Sequence, residues 1–290
     1  MRIALDALKG HSLNVERYGS GARSIIAIHG FMGSAATWNS FIEAAGNEYS
    51  IICPELPGHG KSDSPEDPKL YDMKHTVQAM AEIADRMNVS KAHWLGYSLG
   101  GRIAIAMAVS LKGRALSLTV ESASAGIESL QERKERVVSD EALADKMEKG
   151  SIQEFVNYWE SQPVFGSQAR LPREIQEKLH AERLDNNVRG LANSLRGIGL
   201  GAQPPLHKKL SELDFPCLFV AGEEDIKFSN LASRMQNSMP RSQLFLCPKS
   251  GHNVHVEQPE MFNRAVMRFL MMSDCFQGNP QTPPGSQPSR

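Results

Sequence analysis

The sequence predicts an α/β fold in which a mostly parallel sheet is flanked by helices. Short apolar runs alternate with segments of helical periodicity along most of the chain. Most of these runs are apolar on both faces, which is typical of buried parallel strands. With 290 residues, 41% of them hydrophobic, the chain is long and apolar enough to form a sizeable core.

The predicted elements follow one another in a regular order. The chain begins with RIALDAL and HSLNVERYG, which meet at Lys9-Gly10 and indicate an antiparallel hairpin at the sheet edge. Strands are predicted over residues 24–30, 49–56, 92–97, 116–122, 216–222 and 242–248. Helices between and after these strands are predicted over residues 73–87, 99–110, 228–238 and 259–271.

One region interrupts this alternation. Residues 124–207 contain no predicted strand, only helical segments over 130–148, 151–161, 172–184 and 188–198. Ser151 and Glu154 form a capping-box pattern, and Pro172 suits a first helical turn. We therefore expect a core of residues 1–123 and 208–275 with a helical cap, residues 124–207, at the strands' carboxyl ends, where ligands bind. Residues 276–290, rich in Pro, Gln and Ser from Asn279 onward, are predicted to be a disordered tail.

Composition restricts the kind of partner. Lys and Arg number 32 against 33 Asp and Glu, for a formal net charge of -1, so no global field favours nucleic acid or an anionic membrane. The sequence has no leader pattern and no long apolar span, which predicts a cytoplasmic protein that does not enter membranes. The cysteines lack metal-site spacing and are expected to be reduced thiols: Cys53, Cys217, Cys247 and Cys275.

A candidate nucleophile lies in Gly96-Tyr97-Ser98-Leu99-Gly100. This G-x-S-x-G pattern comes directly after a predicted strand and before a predicted helix, which is the setting of a nucleophile elbow. Ser98 on so sharp a turn has strained backbone geometry, and side chains at the flanking glycines would collide with neighbouring backbone. Taken alone, the pentapeptide is equally compatible with an ordinary strand-to-helix turn.

Two further residues fit a Ser-acid-His order along the chain. His252, in Gly-His-Asn, follows the last strand, and Asp225 follows the strand before it in a G-x-x-D arrangement. Three other acids stay open as alternatives: Glu223, Glu224 and Glu121. His255 lies close enough to His252 to suggest a metal pair, but no third ligand is evident, and we expect no metal.

An oxyanion hole needs two preorganised N–H donors. The amide of Leu99, at the start of the elbow helix, is one candidate, and the amide of Phe31 in His29-Gly30-Phe31-Met32-Gly33 is the other. His29 itself, and His59 in the turn Pro-Gly-His-Gly, are expected to be structural. Together these motifs resemble the α/β-hydrolase family over about residues 24 to 271.

Arginines supply a second set of candidates. Arg102 lies one helical turn after Ser98, where a cation at a helix N-terminus is electrostatically unfavourable. It either forms a structural ion pair, for example with Glu121, or binds a substrate carboxylate. The cap adds Arg136 and Arg183, and several guanidiniums near one serine suit a substrate with several carboxylates.

The sequence also resembles one particular family. GYSLGGR, VES, WESQPVF, GEEDIKF and GHNVHVEQP are similar to segments of the 2-succinyl-6-hydroxy-2,4-cyclohexadiene-1-carboxylate synthases, lyases of the α/β-hydrolase superfamily in menaquinone and phylloquinone biosynthesis. The resemblance implies elimination of pyruvate from 2-succinyl-5-enolpyruvyl-6-hydroxy-3-cyclohexene-1-carboxylate, a small tricarboxylate, without a cofactor. It leaves the oligomeric state open.

The resemblance further implies the roles of individual residues. Ser98, His252 and Asp225 act as a base, and the substrate contacts are Arg102, Arg136, Arg183, Trp159, Tyr97 and Lys227. Glu160 departs from the family, which often has an aromatic residue after the cap tryptophan, and we expect it to face solvent. Two other functions fit the same residues: a serine hydrolase of a small ester or C–C diketone, and a hydrolase-like receptor for a small ligand.

Overall fold

The structure is a computed structural model that describes residues 1–278, with side chains through residue 275. Eight strands in this part of the chain form one sheet. The six predicted strands are confirmed to within two residues at each end. The strands are β1 (Arg2–Ala4), β2 (Ser12–Tyr18), β3 (Arg23–Ile28), β4 (Tyr49–Pro54), β5 (Ala92–Tyr97), β6 (Ala115–Glu121), β7 (Cys217–Gly222) and β8 (Ser242–Cys247).

The sheet has the order β1-β2-β4-β3-β5-β6-β7-β8. The pairs β1 with β2 and β2 with β4 are antiparallel, and all later pairs are parallel. Every residue of β4, β5 and β7 is buried, which explains why these strands read as continuous apolar runs. The edge hairpin is confirmed, with Lys9 (φ 53°) and Gly10 (φ 87°) in left-handed conformations at its turn.

Helices connect the strands and cover the sheet. All predicted helices are present, and three short helices are additional: Asn39–Ala45, His207–Leu210 and Val254–Glu257. Their bounds are α1 (Asn39–Ala45), α2 (Met73–Arg86), α3 (Leu99–Ser110), α4 (Leu130–Lys149), α5 (Ile152–Glu160), α6 (Arg173–Leu184), α7 (Val188–Ile198), α8 (His207–Leu210), α9 (Ile226–Asn237), α10 (Val254–Glu257) and α11 (Pro259–Gly278). Helix α11 includes the first three residues of the predicted tail, and residues 279–290 lie outside the described part.

The cap consists of α4 to α7, which lie in sequence between β6 and β7. The capping box of α5 is present: Ser151 Oγ accepts from Glu154 N, and the Glu154 carboxylate accepts from Ser151 N. The cap has its own apolar cluster, which includes Phe155 of α5 and Leu191 of α7 and extends to Met32 in the loop after β3. The cap therefore packs directly on the loop that follows the central strand.

Two further observations concern the cysteines and the length and polarity of the helices. Cys53, Cys217 and Cys247 are buried free thiols, and Cys275 is an exposed one. Within residues 1–278, the helices are all too short or too polar to cross a bilayer.

Candidate active site

Ser98 lies between β5 and α3 with φ 50° and ψ −108°, a left-handed backbone conformation that is costly for any residue except glycine. The flanking glycines allow this turn. A Cβ on Gly96 would lie 2.3 Å from the Gly100 carbonyl oxygen, and one on Gly100 would lie 2.0 Å from the Ile28 carbonyl oxygen. The sharp turn thus directs the Ser98 hydroxyl away from the sheet.

The structure brings Ser98, His252 and Asp225 together. His252 Nε2 lies 3.1 Å from Ser98 Oγ, and His252 Nδ1 lies 2.7 Å from Asp225 Oδ2. Because Asp225 is an acceptor, Nδ1 carries the proton and Nε2 is free to accept one from the hydroxyl. Asp225 also caps α9, since its Oδ1 accepts from Phe228 N at 3.3 Å. All three residues follow the carboxyl ends of parallel strands, β5, β7 and β8.

The alternative acids have other partners or positions. Glu223 is exposed, and Glu224 forms a surface ion pair with Arg170 at 2.6 Å. Glu121 is fully buried and accepts from both the backbone N–H and the ring Nδ1 of His255, at 3.0 and 2.8 Å. His255 therefore donates to the buried carboxylate of Glu121. The sequence did not indicate this pairing.

Aromatic rings enclose His252. The ring of Phe228 lies 4.6 Å from it, Tyr97 5.5 Å and Phe165 6.2 Å, measured between centroids. The Tyr97 hydroxyl donates to Asn253 Oδ1, which ties the strand before the elbow to the histidine loop. These contacts limit the rotation of the imidazole, and Phe228 and Asn253 were not predicted from the sequence.

The two candidate oxyanion donors lie on neighbouring elements. Leu99 is the first residue of α3, so its N–H has no partner within the helix. Phe31 follows Gly30 and precedes Met32, which has φ 63°. Phe31 and Leu99 line the same cavity as Ser98.

His29 and His59 are buried beside the loop that contains Gly30 and Phe31. His29 Nδ1 donates to Gly30 O at 2.7 Å and its Nε2 accepts from Leu56 N at 3.0 Å, which requires a neutral ring. Burial lowers the pKa of His29 to about 4. Burial, followed by the nearby His29, lowers the pKa of His59 to about 3. The two hydrogen bonds of His29, and the lowered pKa values of both buried rings, support the structural roles expected for these histidines.

The Ser98 cavity has a volume of about 140 Å³ and lies between core and cap. We use this name for the space lined by Ser98, Phe31, Leu99, Trp159 and residues of α3, α4, α7 and α9. Three cationic side chains line it, Arg102, Arg136 and Lys227, and within the described residues no carboxylate does. An anion is therefore the ligand that this cavity favours electrostatically.

Arg102 is held in the Ser98 cavity by neutral groups. Its Nη1 donates to Gln203 Oε1 and its Nη2 to Ile198 O, both at 2.9 Å. Within residues 1–275 it forms no ion pair, because Glu121, the partner considered from the sequence, binds His255 instead. Burial, and then the like charge of Arg136, lower the pKa of Arg102 to about 10.

The other two cations are more exposed. Arg136 pairs with Asp140 on its own helix, Nε to Oδ1 at 2.7 Å, and 40% of its side chain is exposed. Lys227 lies at the start of α9 with its Nζ 5.5 Å from the centroid of the Phe228 ring. Both can move toward a bound anion more easily than Arg102.

Arg183 lies in a neighbouring space, the Arg183 cavity, of about 190 Å³, which Tyr97 and His255 also line. Phe31 and Trp159 line both cavities, and their rings meet edge to face at 5.2 Å between them. The sequence suggested that Arg183 and Arg102 lie around the same serine. In the structure Arg183 lines the neighbouring cavity instead.

Glu160 is the partner of Arg183. Its Oε1 accepts from Arg183 Nη1 at 2.7 Å, its Oε2 accepts from His180 Nδ1 at 2.9 Å, and its side chain is only 28% exposed. The expectation that Glu160 faces solvent is therefore wrong. The buried guanidinium of Arg183 attracts the carboxylate inward, because a cation that is only 10% exposed needs a counter-ion.

Comparisons with known proteins show the family of this chain. Residues 23–259 match the model of the alpha/beta hydrolase fold family. A 2-succinyl-6-hydroxy-2,4-cyclohexadiene-1-carboxylate synthase from Photorhabdus laumondii is 32% identical over 86% of this chain and 85% of its own. A Bacillus subtilis protein that is provisionally given the same name is 39% identical over 86% of this chain and 90% of its own.

Solved structures give the same result. The structure of MenH from S. aureus has a TM-score of 0.86 and 32% identity, and covers 90% of this chain and 98% of that one. A malate-bound esterase from Thermogutta terrifontis, at 24% identity and a TM-score of 0.83, shares the fold. From the matched fold, the shared length and the identity to these relatives, the chain belongs to the 2-succinyl-6-hydroxy-2,4-cyclohexadiene-1-carboxylate synthase family of α/β-hydrolase-fold enzymes.

Proposed function

We propose that this chain eliminates pyruvate from 2-succinyl-5-enolpyruvyl-6-hydroxy-3-cyclohexene-1-carboxylate, in menaquinone or phylloquinone biosynthesis, with Ser98 as the base. Family membership supports the reaction. The observation that carries the site assignment is the Ser98 cavity, in which a serine hydrogen-bonded to His252 faces three cations and no carboxylate among the described lining residues. A substrate with three carboxylates complements that charge.

The proton transfer follows from the hydrogen-bond directions. Ser98 Oγ removes the acidic proton next to the succinyl ketone as its own hydroxyl proton passes to His252 Nε2, 3.1 Å away. Asp225 keeps the other ring nitrogen protonated and stabilises the imidazolium that forms. The electron pair then shifts through the ring double bond, the bond to the enolpyruvyl oxygen breaks, and the enolpyruvate takes up a proton to give pyruvate.

Negative charge develops on the succinyl ketone oxygen during this step. We assign the Phe31 and Leu99 amides as its donors, since both line the Ser98 cavity and the Leu99 N–H is free of helical partners. One such donor typically contributes about 3 kcal/mol to transition-state stabilisation. The same donors serve an acyl-transfer reaction, so they do not by themselves separate a lyase from a hydrolase.

The substrate carboxylates supply the counter-ions that the site lacks. Arg102 binds one of them directly, because its hydrogen-bond partners are neutral and no carboxylate among the described residues forms an ion pair with it. Arg136 and Lys227 bind a second, and Arg183 receives the third from its neighbouring cavity. Each cavity is smaller than the roughly 300 Å³ of ordinary ligand pockets, so the substrate needs both, and the Phe31–Trp159 contact opens to admit it. Trp159 and Tyr97 then line the bound substrate.

The proposed reaction takes place in the cytoplasm, uses no metal or organic cofactor, and has the small tricarboxylate as its partner. The test supplies this substrate to the enzyme and follows the diene chromophore and pyruvate together. We expect both to appear in equal amounts and Ser98→Ala to abolish both. Substrate consumed without diene, or a substrate-derived adduct on Ser98 in intact-mass spectra during turnover, would contradict the lyase assignment and favour the hydrolase.

A further inference from the structure

Asn186 lies between α6 and α7, is only 8% exposed, and connects the cap to two turns of the core. Its Nδ2 donates to Met32 O at 3.1 Å, and its Oδ1 accepts from Gly60 N at 3.2 Å. The same Nδ2 lies 3.1 Å from Glu182 O and 3.2 Å from Arg183 O in the last turn of α6. With three carbonyls on one side and an N–H on the other, the amide has a single favourable orientation.

The partners of Asn186 are parts of the active site. Met32 is the residue after Phe31, whose amide we assign to the oxyanion hole, and Met32 has a left-handed φ of 63° that surrounding contacts must maintain. Arg183, whose carbonyl contacts the same amide, is the cap arginine. One buried side chain thus fixes the oxyanion loop and the end of the helix that presents Arg183.

A neighbouring asparagine provides a comparison. Asn193 of α7 is 4% exposed and donates through Nδ2 to Pro65 O at 3.0 Å and to Glu66 O at 3.2 Å. It also joins cap to core through buried N–H···O=C bonds, but its core partner is a turn that lines neither the Ser98 cavity nor the Arg183 cavity. The two asparagines therefore separate the general attachment of the cap from a specific effect on the oxyanion loop.

We propose that Asn186 is a positioning residue that sets the Phe31 amide relative to Ser98 and couples that amide to the position of Arg183. This inference rests on the proposed function, because it uses the Phe31 amide as an oxyanion donor. It assigns to the cap a part in the chemical step as well as in substrate binding. Small displacements of a catalytic donor are costly: losing one oxyanion donor lowers kcat by about 10²–10³.

The experiment compares Asn186→Leu with Asn193→Leu. Each change removes a buried amide without adding charge, leaves carbonyls without their donor, and is close to the original in volume, so we expect similar decreases in Tm. Only Asn186→Leu is expected to lower kcat, by roughly ten- to hundredfold. In Asn186→Leu the Kd of the diene product should rise less than kcat falls, because product binding uses Arg183 but not the oxyanion contact.

Two outcomes would overturn the proposal: equal effects of the two variants on kcat, or an Asn186→Leu enzyme with normal kcat. If Asn186→Leu does not fold, Asn186→Asp and Asn193→Asp replace the pair with the same expectation for kcat. Failure of the proposed function is recognised separately, since the wild-type enzyme would then form no diene. In that case kcat for hydrolysis of p-nitrophenyl acetate is compared in the same variants, because acyl transfer also uses the Phe31 amide.

Discussion

Replacing Arg102 by alanine removes a buried cation of the Ser98 cavity whose hydrogen-bond partners are neutral. Its guanidinium donates to Gln203 and to the Ile198 carbonyl, and burial together with Arg136 lowers its pKa to about 10. A carboxylate that enters the cavity becomes its first ionic partner. We therefore expect Arg102→Ala to weaken the use of the tricarboxylate far more than the use of a neutral ester.

The magnitudes follow from the contacts. A hydrogen bond to a charged group contributes roughly 1.5 to 3 kcal/mol, which corresponds to about tenfold to hundredfold in kcat/KM. Loss of the donor leaves the Gln203 and Ile198 oxygens unpaired, at a cost of about 1–3 kcal/mol in stability. Removing a cation from a helix N-terminus returns about 0.3–1 kcal/mol. The free energy of unfolding should thus fall by no more than about 3 kcal/mol.

The assay measures kcat/KM for the tricarboxylate by diene absorbance and, in parallel, for a small neutral ester, with Tm recorded for each variant. Arg102→Lys is the matched control, since it keeps the charge and loses the bidentate geometry, and it should recover only part of the activity. Unchanged kinetics on the tricarboxylate with a lowered Tm would show that Arg102 is structural. The reasoning from an uncompensated cation would then be wrong.

Three further predictions concern the triad, the cap and the fold. Asp225→Asn should lower kcat by about 10⁴ with little change in Tm, because it favours the wrong tautomer; normal activity there, with collapse in Glu224→Gln, would move the acid. Glu160→Gln should lower KM for the tricarboxylate about three- to tenfold, since it frees Arg183 for the substrate; a higher KM would make the ion pair purely structural. Because the pKa of His29 is lowered in the folded state, its neutral form stabilises the fold above about pH 6.5. That contribution should be lost as the pH falls toward 4, and the Tm of His29→Gln should depend less on pH over that window.

Local patterns predicted the fold and selected Ser98, Asp225 and His252 as candidates, because both depend on short stretches of chain. Buried parallel strands require uninterrupted apolar runs, so β3 to β8 were visible without any knowledge of their neighbours. The elbow was equally local, since the glycines at positions 96 and 100 are needed by the turn itself. Asp225 could be preferred over Glu224 from its place in the loop, and the structure brings it to His252.

Contacts between cap and core were not predictable in the same way. The position of Glu160 depends on how α5 meets α6, and its pairing with Arg183 joins residues on separate helices. Lys227 lines the Ser98 cavity, whereas Arg183 does not. The position of the Asn186 amide depends on the Met32 carbonyl, which is far away in the sequence. No periodicity or motif records such long-range pairings.

The charge of the Ser98 cavity bears on whether a Ser-His-Asp arrangement serves elimination or ester hydrolysis. Ser98, His252 and Asp225 have the same geometry for either reaction, so selection must come from the surrounding groups. A buried arginine without a carboxylate partner is unfavourable in the free enzyme, and a neutral ester does nothing to relieve it. A polyanionic substrate bound beside Arg102 supplies a counter-ion, and its charge raises the pKa of the guanidinium from about 10 toward its ordinary value. We therefore expect the desolvation cost of Arg102 to favour polyanionic substrates over neutral ones.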